Sequence, residues 1–216
     1  NKYLTASQII VPTDLKGFNL IRKIPVMGEE GEGYFSHSEI EYNNVTVPKE
    51  NLLGKEGFGF KIAQSRLGPG RIHHCMRWIG ICERSFDMMC KRAASRELSP
   101  GNFLGQKQLI HKMIAERRVE INAAKLLVME VGRKIEKKGS KESRFDISMI
   151  KFYCANILKR VIDDAIQIHG GLGMSDDIIL SHFYRHERAA RIYDGADEVH
   201  ITNVAKGVLS KYGLKI

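Results

Sequence analysis

A carboxylate at the junction of two predicted helices is the first residue whose type and place suit chemistry. Asp194 lies in the segment Arg191–His200, whose sequence is RIYDGADEVH. The Asp194–Gly195 pair breaks one helix, and the next helix begins directly after it. A carboxylate at such a joint is rigidly placed and could act as a base. The same residues also suit a helix N-cap, and composition alone favours the cap.

A glycine turn is the second candidate. The segment Gln167–Gly173 has the sequence QIHGGLG, and its double glycine, Gly170 and Gly171, stops a helix. Glycine also lets another backbone or a ligand approach closely. Gln167 offers both a donor and an acceptor, which suits an adenine edge or a phosphate. A simple C-terminal cap explains this short pattern equally well.

Long amphipathic helices must position these candidates. Apolar residues recur at three- and four-residue steps in stripes that begin at Ile72, Ile110 and Ile147. The stripes and their breaks predict long helices over about 57–97, 106–138 and 143–169, followed by shorter ones over about 177–192 and 196–212. Long helices with short connections pack as antiparallel neighbours, so we expect an up-down helical bundle.

The first part of the chain has a different pattern. Short β-branched or alternating runs lie at Ser7–Pro12, Ile21–Met27 and Tyr34–Tyr42, with turn residues between them. They predict antiparallel strands, too few for an independent sheet domain. The predicted fold class is therefore mainly α with a small β part. It comprises a partial antiparallel β-domain over 1–54 and a helical-bundle domain over 55–216.

Composition narrows the function classes. The 216 residues are 43% hydrophobic and 27% charged, which is typical of a globular protein. No run of apolar residues is long enough to predict a membrane span. The net charge of +9 arises from 34 basic residues interleaved with 25 acidic ones. No nucleic-acid motif accompanies them, so we predict no nucleic-acid partner, and a nucleotide cofactor is the alternative polyanion.

The cysteines and the first residue add two expectations. No CxxC spacing occurs, so we predict no metal site and buried free thiols; the cysteines are Cys75, Cys82, Cys90 and Cys154. The first residue is Asn, not Met, so we expect a processed chain or a fragment.

Several segments, taken together, resemble the acyl-CoA dehydrogenase family. They stand in family order: SQIIVPTDLKGF, IPVMG, IEYNNVTVPKENLLGKEGFGF, GPGRIHHCMRWIGICERSF, LGQKQLIHKMIAE, QIHGGLGM and IYDGADEVH. The arginine-led helix and the last segment look most like the long-chain branch that includes kinase-fused animal members. In this resemblance the chain begins inside the family's middle β-domain and continues through its C-terminal helical domain.

The resemblance implies FAD-dependent α,β-dehydrogenation of an acyl-CoA thioester to a trans-2-enoyl-CoA, as in fatty-acid β-oxidation. It implies an electron-transfer flavoprotein as the acceptor. Asp194 matches the position of the catalytic base, where the family usually has glutamate, a side chain longer by one bond of roughly 1.5 Å. By the same resemblance, Arg71, Tyr193 and Gly195 contact the substrate.

The resemblance also assigns the cofactor contacts. Arg96 and the turn residues Gln167, Gly170 and Gly171 match contacts to the FAD of a neighbouring subunit. This match implies a homo-oligomer, either a tetramer or a dimer. Ala196 and Glu198 occupy positions where the family has Thr and Gln beside FAD.

Two alternatives stay open. Nitroalkane oxidases keep the fold and an aspartate base but do not use CoA substrates. A non-catalytic helical assembly subunit is the alternative of another class, although a pure scaffold need not keep both Asp194 and the Gln167 turn. The expected compartment is the cytoplasm in a prokaryote and the mitochondrion or peroxisome in a eukaryote.

Overall fold

Short strands precede long helices in the computed structural model, which describes residues 5–33 and 36–214. The chain forms two compact units, Asn1–Arg66 and Leu67–Ile216. Their boundary falls inside the first long helix. The assignment of domains to 1–54 and 55–216 stays a prediction.

A two-stranded antiparallel sheet forms the regular part of the first unit. Strand β1, Phe18–Lys23, pairs with β2, Ser38–Tyr42, with Phe18 opposite Tyr42. The two rings meet edge to face, with their centroids 5.6 Å apart. Strand β1 thus begins before the predicted run Ile21–Met27 and ends before it does. The early end agrees with Pro25, which has no N–H to donate to a ladder.

The run predicted as a strand over Ser7–Pro12 pairs antiparallel with another segment, but it forms an isolated bridge and no regular strand. Ile9 makes only a single antiparallel bridge to Leu52. Leu52 directly follows a short 3-10 helix, Lys49–Asn51, so the facing segment is extended too briefly for a ladder. Of the predicted strand Tyr34–Tyr42, residues 34 and 35 lie outside the described residues.

The helices confirm the predicted bundle. Three are long: α1 spans Gly59–Ser95, α2 spans Gln108–Lys138 and α3 spans Arg144–His169. A small hairpin that the sequence did not predict joins α1 to α2; its strands are β3, Glu97–Ser99, and β4, Asn102–Phe103. After α3 come three shorter helices: α4, Gly171–Met174, α5, Leu180–Glu187, and α6, Asp197–Leu209.

Two 3-10 helices complete the later segments. The predicted helix over 177–192 is α5 followed by the 3-10 helix Arg188–Arg191. The predicted helix over 196–212 is α6 followed by Ser210–Tyr212. The 3-10 helix after α5 leads directly into Tyr193 and Asp194.

The core of the second unit lies between the three long helices. Trp78 from α1, Ile121 from α2 and Ile150 from α3 are fully buried in it. The cysteines are free thiols, and three of them, Cys75, Cys82 and Cys154, are buried. Within the described part of the chain, no helix combines the length and apolar character needed to cross a membrane.

Candidate active site

The loop before α6 holds Asp194 in an uncommon backbone conformation. Asp194 has φ +54° and Gly195 has φ +103°. A left-handed conformation at a non-glycine residue costs about 1–3 kcal/mol and persists only where its surroundings fix it. A Cβ at Gly195 would lie 2.8 Å from Nε2 of His200, so this position requires glycine.

Side chains from three helices fix this loop through its carbonyl groups. Nε of Arg71 in α1 donates to the Asp194 carbonyl oxygen at 2.7 Å. Nε2 of His200 in α6 lies 3.2 Å from the same oxygen. Nζ of Lys151 in α3 donates to the Gly195 carbonyl oxygen at 2.7 Å. The loop conformation is therefore set by packing between helices.

A cluster of buried charged side chains stabilises the start of α6, directly after the loop. The carboxylate of Asp197 accepts hydrogen bonds from Arg191 at 2.6 Å and Asn156 at 2.9 Å. Nζ of the fully buried Lys151 lies 3.9 Å from the other carboxylate oxygen. Burial lowers the pKa of Lys151, and the charge of Asp197 opposes that shift. Asp197 and Lys151 thus compensate each other inside the bundle.

Asp194 does not cap α6. The N-cap residue is Ala196, and no side chain in the described part of the chain caps the helix there. Instead, Oδ2 of Asp194 lies 3.0 Å from Nε2 of His74 in α1. Within the described residues, Oδ1 and the backbone N–H of Asp194 have no hydrogen-bond partner. One carboxylate oxygen and one amide donor are thus available to a ligand.

Aromatic side chains form the wall beside this carboxylate. The His74 ring stacks on Trp78, with centroids 5.8 Å apart, and lies 4.9 Å from the Tyr193 ring. The Tyr193 hydroxyl accepts hydrogen bonds from Arg77 at 2.9 Å and from Trp78 at 3.2 Å. Burial raises the pKa of Tyr193. The tyrosine is therefore a fixed, neutral part of the wall.

The Glu187 carboxylate links the side chains of this aromatic wall. Its buried carboxylate pairs with the Arg77 guanidinium and accepts from the Trp78 indole N–H at 3.0 Å. The Tyr193 hydroxyl belongs to the same network. Three side chains around the carboxylate of Asp194 are thus held in one arrangement.

The predicted residues of the glycine turn meet Arg96 in one cavity of about 500 Å³. Arg96, Gln167, Gly170 and Gly171 all line it, at the end of α1 and the end of α3. Gly170 is also the C-cap of α3, with φ +64°. A Cβ at either glycine would meet no atom of residues 5–33 and 36–214 within 4 Å, so the described chain leaves the space beside the turn open.

The chemistry of this cavity suits an anion. Arg92 lines it one turn before Arg96, and the buried Nε of Arg92 has no hydrogen-bond partner among the residues that the structure describes. A buried polar atom without a partner is uncommon in proteins and points to a ligand or water. Two guanidinium groups and the Gln167 amide match the donors that a pyrophosphate needs. The residues present therefore fit the phosphate part of a nucleotide cofactor.

The other two predicted cofactor residues lie elsewhere. Ala196 and Glu198 stand at the start of α6, beside Asp194, and neither lines the cavity of the glycine turn. The structure thus forms two groups: Arg71, Tyr193 and Gly195 around Asp194, and Gln167, Gly170 and Gly171 with Arg96. Arg71 contacts the loop backbone, which leaves its predicted substrate contact a prediction.

Residues 57–209 match the model of the family described as "Acyl-CoA dehydrogenase, C-terminal domain". This chain belongs to the acyl-CoA dehydrogenase family. The probable acyl-CoA dehydrogenase FadE2 of Mycobacterium tuberculosis is 44% identical over 205 residues, which are 95% of this chain and 50% of that protein. Acyl-CoA dehydrogenase family member 11 of Gallus gallus is 41% identical over 100% of this chain and 28% of its own length.

Solved structures agree with this family assignment. A Mycobacterium abscessus acyl-CoA dehydrogenase-like protein superposes with a TM-score of 0.92 at 38% identity, covering 98% of this chain and 51% of that one. Butyryl-CoA dehydrogenase from Megasphaera elsdenii gives a TM-score of 0.78 at 30% identity, covering 94% and 51%. The chain thus spans about half of the length of these solved structures and of FadE2, and 28% of the Gallus gallus relative.

Several residues of this candidate site were not predicted from the sequence. Three of them contact the Asp194 loop: His74, Lys151 and His200. The fourth, Arg92, lines the cavity beside Arg96. One signal was present, because Arg92 and Arg96 are four residues apart and so share a helix face. For Lys151, a lysine within an apolar stripe was the signal.

His200 is expected to make the stability of this acyl-CoA dehydrogenase family chain depend on pH. Burial lowers the pKa of His200, and the nearby cations Arg71 and Lys151 lower it further. The hydrogen bond to Asp194 and the charge of Asp197 raise the pKa, but the net shift is downward. Just below about pH 6.5, His200 is protonated in the unfolded chain but still neutral in the folded chain. The free energy of unfolding should therefore fall toward acid, by at most about 1.4 kcal/mol per pH unit for this group.

Urea denaturation between pH 8 and pH 5 checks this expectation. The variant His200→Gln keeps a donor toward the loop and removes the titrating group, so its stability should depend less on pH below about 6.5. Above that pH the two curves should run parallel. Equal pH slopes on the acid side would contradict the assignment.

Proposed function

We propose that the protein carrying this chain is an FAD-dependent acyl-CoA dehydrogenase that converts an acyl-CoA thioester to a trans-2-enoyl-CoA, with Asp194 as the base. One observation carries the proposal: the Asp194 carboxylate is held on a strained loop with one oxygen unpaired. Strained backbone that is fixed by surrounding contacts is concentrated at active sites. Family membership identifies the chemistry that such a base serves.

The roles of the loop residues follow from their contacts. Oδ1 of Asp194 accepts the α-proton, so the α C–H bond breaks and an O–H bond forms. The free N–H of Asp194 donates to the thioester oxygen, which gains negative charge as the proton leaves. Arg71 and His200 hold the Asp194 carbonyl, and this fixes the direction of the peptide that carries Gly195. FAD, when bound, supplies the acceptor for the β-hydrogen, which leaves as hydride.

The shorter side chain of aspartate changes where the substrate must lie. A carboxylate retracted by roughly 1.5 Å abstracts a proton only if the α-carbon lies closer to the loop backbone. Tyr193 and His74 line the approach. The acyl chain is therefore expected to sit deeper against this aromatic wall than it would beside a glutamate.

The cavity of the glycine turn is proposed to hold the FAD of a neighbouring subunit. Arg96 and Gln167 would donate to its pyrophosphate and adenine, while Gly170 and Gly171 would allow close approach. This assignment requires a homo-oligomer, a tetramer or a dimer. Sedimentation of the flavin-loaded protein should show such an assembly, and a stable, flavin-saturated monomer would contradict it.

Anaerobic mixing with a panel of acyl-CoAs tests the proposed function. The oxidised flavin band should bleach with acyl-CoAs of one range of chain lengths, because electrons reach the flavin without any external acceptor. An electron-transfer flavoprotein should then reoxidise it. If nitroalkanes bleached the flavin band and none of the acyl-CoAs did, the result would favour the nitroalkane-oxidase alternative. A preparation that binds no flavin would favour the non-catalytic subunit.

The compartment follows from the same proposal. In a prokaryote the protein would work in the cytoplasm, and in a eukaryote it would work in the mitochondrion or peroxisome, where acyl-CoA oxidation takes place. Fractionation of the source cells, with the flavin-dependent bleaching assay as the marker, checks this.

A further inference from the structure

The contact between His74 and Asp194 has no role in the mechanism above. Nε2 of His74 lies 3.0 Å from Oδ2 of Asp194, and the His74 side chain is one-third exposed. The imidazole packs against both the Trp78 ring and the Tyr193 ring. The backbone of Asp194 is held separately by Arg71 and His200. Within the described residues, His74 is thus the side chain that fixes the carboxylate itself.

The surroundings of His74 favour a neutral ring. Burial is the largest influence and lowers the pKa of His74; the nearby Arg77 acts in the same direction. Asp194 and Glu187 oppose the shift, and it remains downward. A neutral imidazole in contact with an ionised carboxylate places its proton on the nitrogen that faces it. His74 therefore carries its proton on Nε2 and donates to Oδ2 of Asp194.

We propose that His74 is a positioning residue for the catalytic base, an inference that rests on the proposed function of Asp194. By binding Oδ2, the imidazole directs Oδ1 toward the α-carbon of the substrate. The α-proton moves from carbon to Oδ1, and the Nε2 proton stays on His74 throughout.

Two substitutions of His74 test this role against a matched control. His74→Phe keeps an aromatic ring beside Trp78 and removes the donor, whereas His74→Gln keeps an N–H donor. His73→Gln is the control, because His73 is the exposed neighbour on the same helix turn. In the flavin-loaded protein, the rate of flavin reduction by acyl-CoA should fall about 10²-fold in His74→Phe, as expected for a misplaced base. His74→Gln should recover most of that loss.

The readouts separate positioning from a structural role. Flavin content and the dissociation constant for acyl-CoA should be unchanged in both His74 variants, and His73→Gln should match the wild type throughout. A wild-type rate in His74→Phe would overturn the positioning role and leave the proposed function standing. Absence of bleaching in the wild-type protein would instead overturn the proposed function and this role with it.

Nitrogen-15 NMR of the histidine rings gives a readout that needs no turnover. In wild-type protein the His74 ring should be the Nε2–H tautomer at neutral pH. In Asp194→Leu, which removes the acceptor, that tautomer preference should weaken and the ring nitrogen shifts should change. An Nδ1–H tautomer in the wild-type protein would overturn the proposed contact even where the His74 variants fail to fold.

Discussion

Asp194→Asn is expected to abolish reduction of the flavin by acyl-CoA while both ligands stay bound. The amide cannot accept a proton, but its carbonyl oxygen can still accept the His74 N–H, so the side chain should keep its place. General-base catalysis contributes about 10²–10⁴-fold to a rate. The reduction rate should therefore fall by at least that factor. Anaerobic stopped-flow absorbance of the oxidised flavin band measures it.

Two companion variants sharpen the result for Asp194. Asp163→Asn removes one carboxylate from an exposed position on α3 and should leave the rate unchanged. Asp194→Glu restores the base that is usual in the family and should shift the preferred acyl-CoA, because its carboxylate reaches roughly 1.5 Å further. Normal bleaching in Asp194→Asn would remove this residue from the mechanism.

The bundle was predictable because its signal is long and local. Stripes of apolar residues over twenty or more positions predict both that a helix forms and which of its faces is buried. The helices α1, α2 and α3 follow these stripes closely. The segment Ser7–Pro12 is too short for its residue pattern to decide whether a strand forms. Whether it forms a ladder depends on Leu52, far along the chain, where a 3-10 helix has just ended.

The site was predictable only in part, for the same physical reason. The resemblance identified Asp194 and the glycine turn by their motifs. It did not reveal that Arg71 holds the Asp194 carbonyl or that His74 binds the carboxylate, because both contacts depend on how α1 packs beside the loop. The N-cap interpretation of Asp194 was wrong for a related reason. The left-handed turn at Asp194 and Gly195 places Ala196 at the helix start instead.

Lys151→Met should cause the largest loss of stability among single changes near the site. Methionine fills a similar volume, so the core should stay packed while the charge and the donor disappear. The Gly195 carbonyl would lose its 2.7 Å hydrogen bond inside the bundle. Within the described residues, Oδ1 of Asp197 has no hydrogen bond, and the carboxylate would lose the Lys151 cation 3.9 Å away while keeping Arg191 at 2.6 Å. Breaking a buried ion pair by removing one partner typically costs 3–5 kcal/mol, so a loss of about 3 kcal/mol in the free energy of unfolding is expected.

The matched control for this change lies on the same helix. Lys159 is exposed, and Lys159→Met should alter the free energy of unfolding by less than about 0.5 kcal/mol. Urea denaturation of both variants and the wild type measures the difference. Because Lys151 holds the loop through Gly195, folded Lys151→Met protein should also reduce its flavin more slowly at saturating acyl-CoA. A variant as stable as Lys159→Met would show that the buried charges of Lys151 and Asp197 do not hold the Asp194 loop in place.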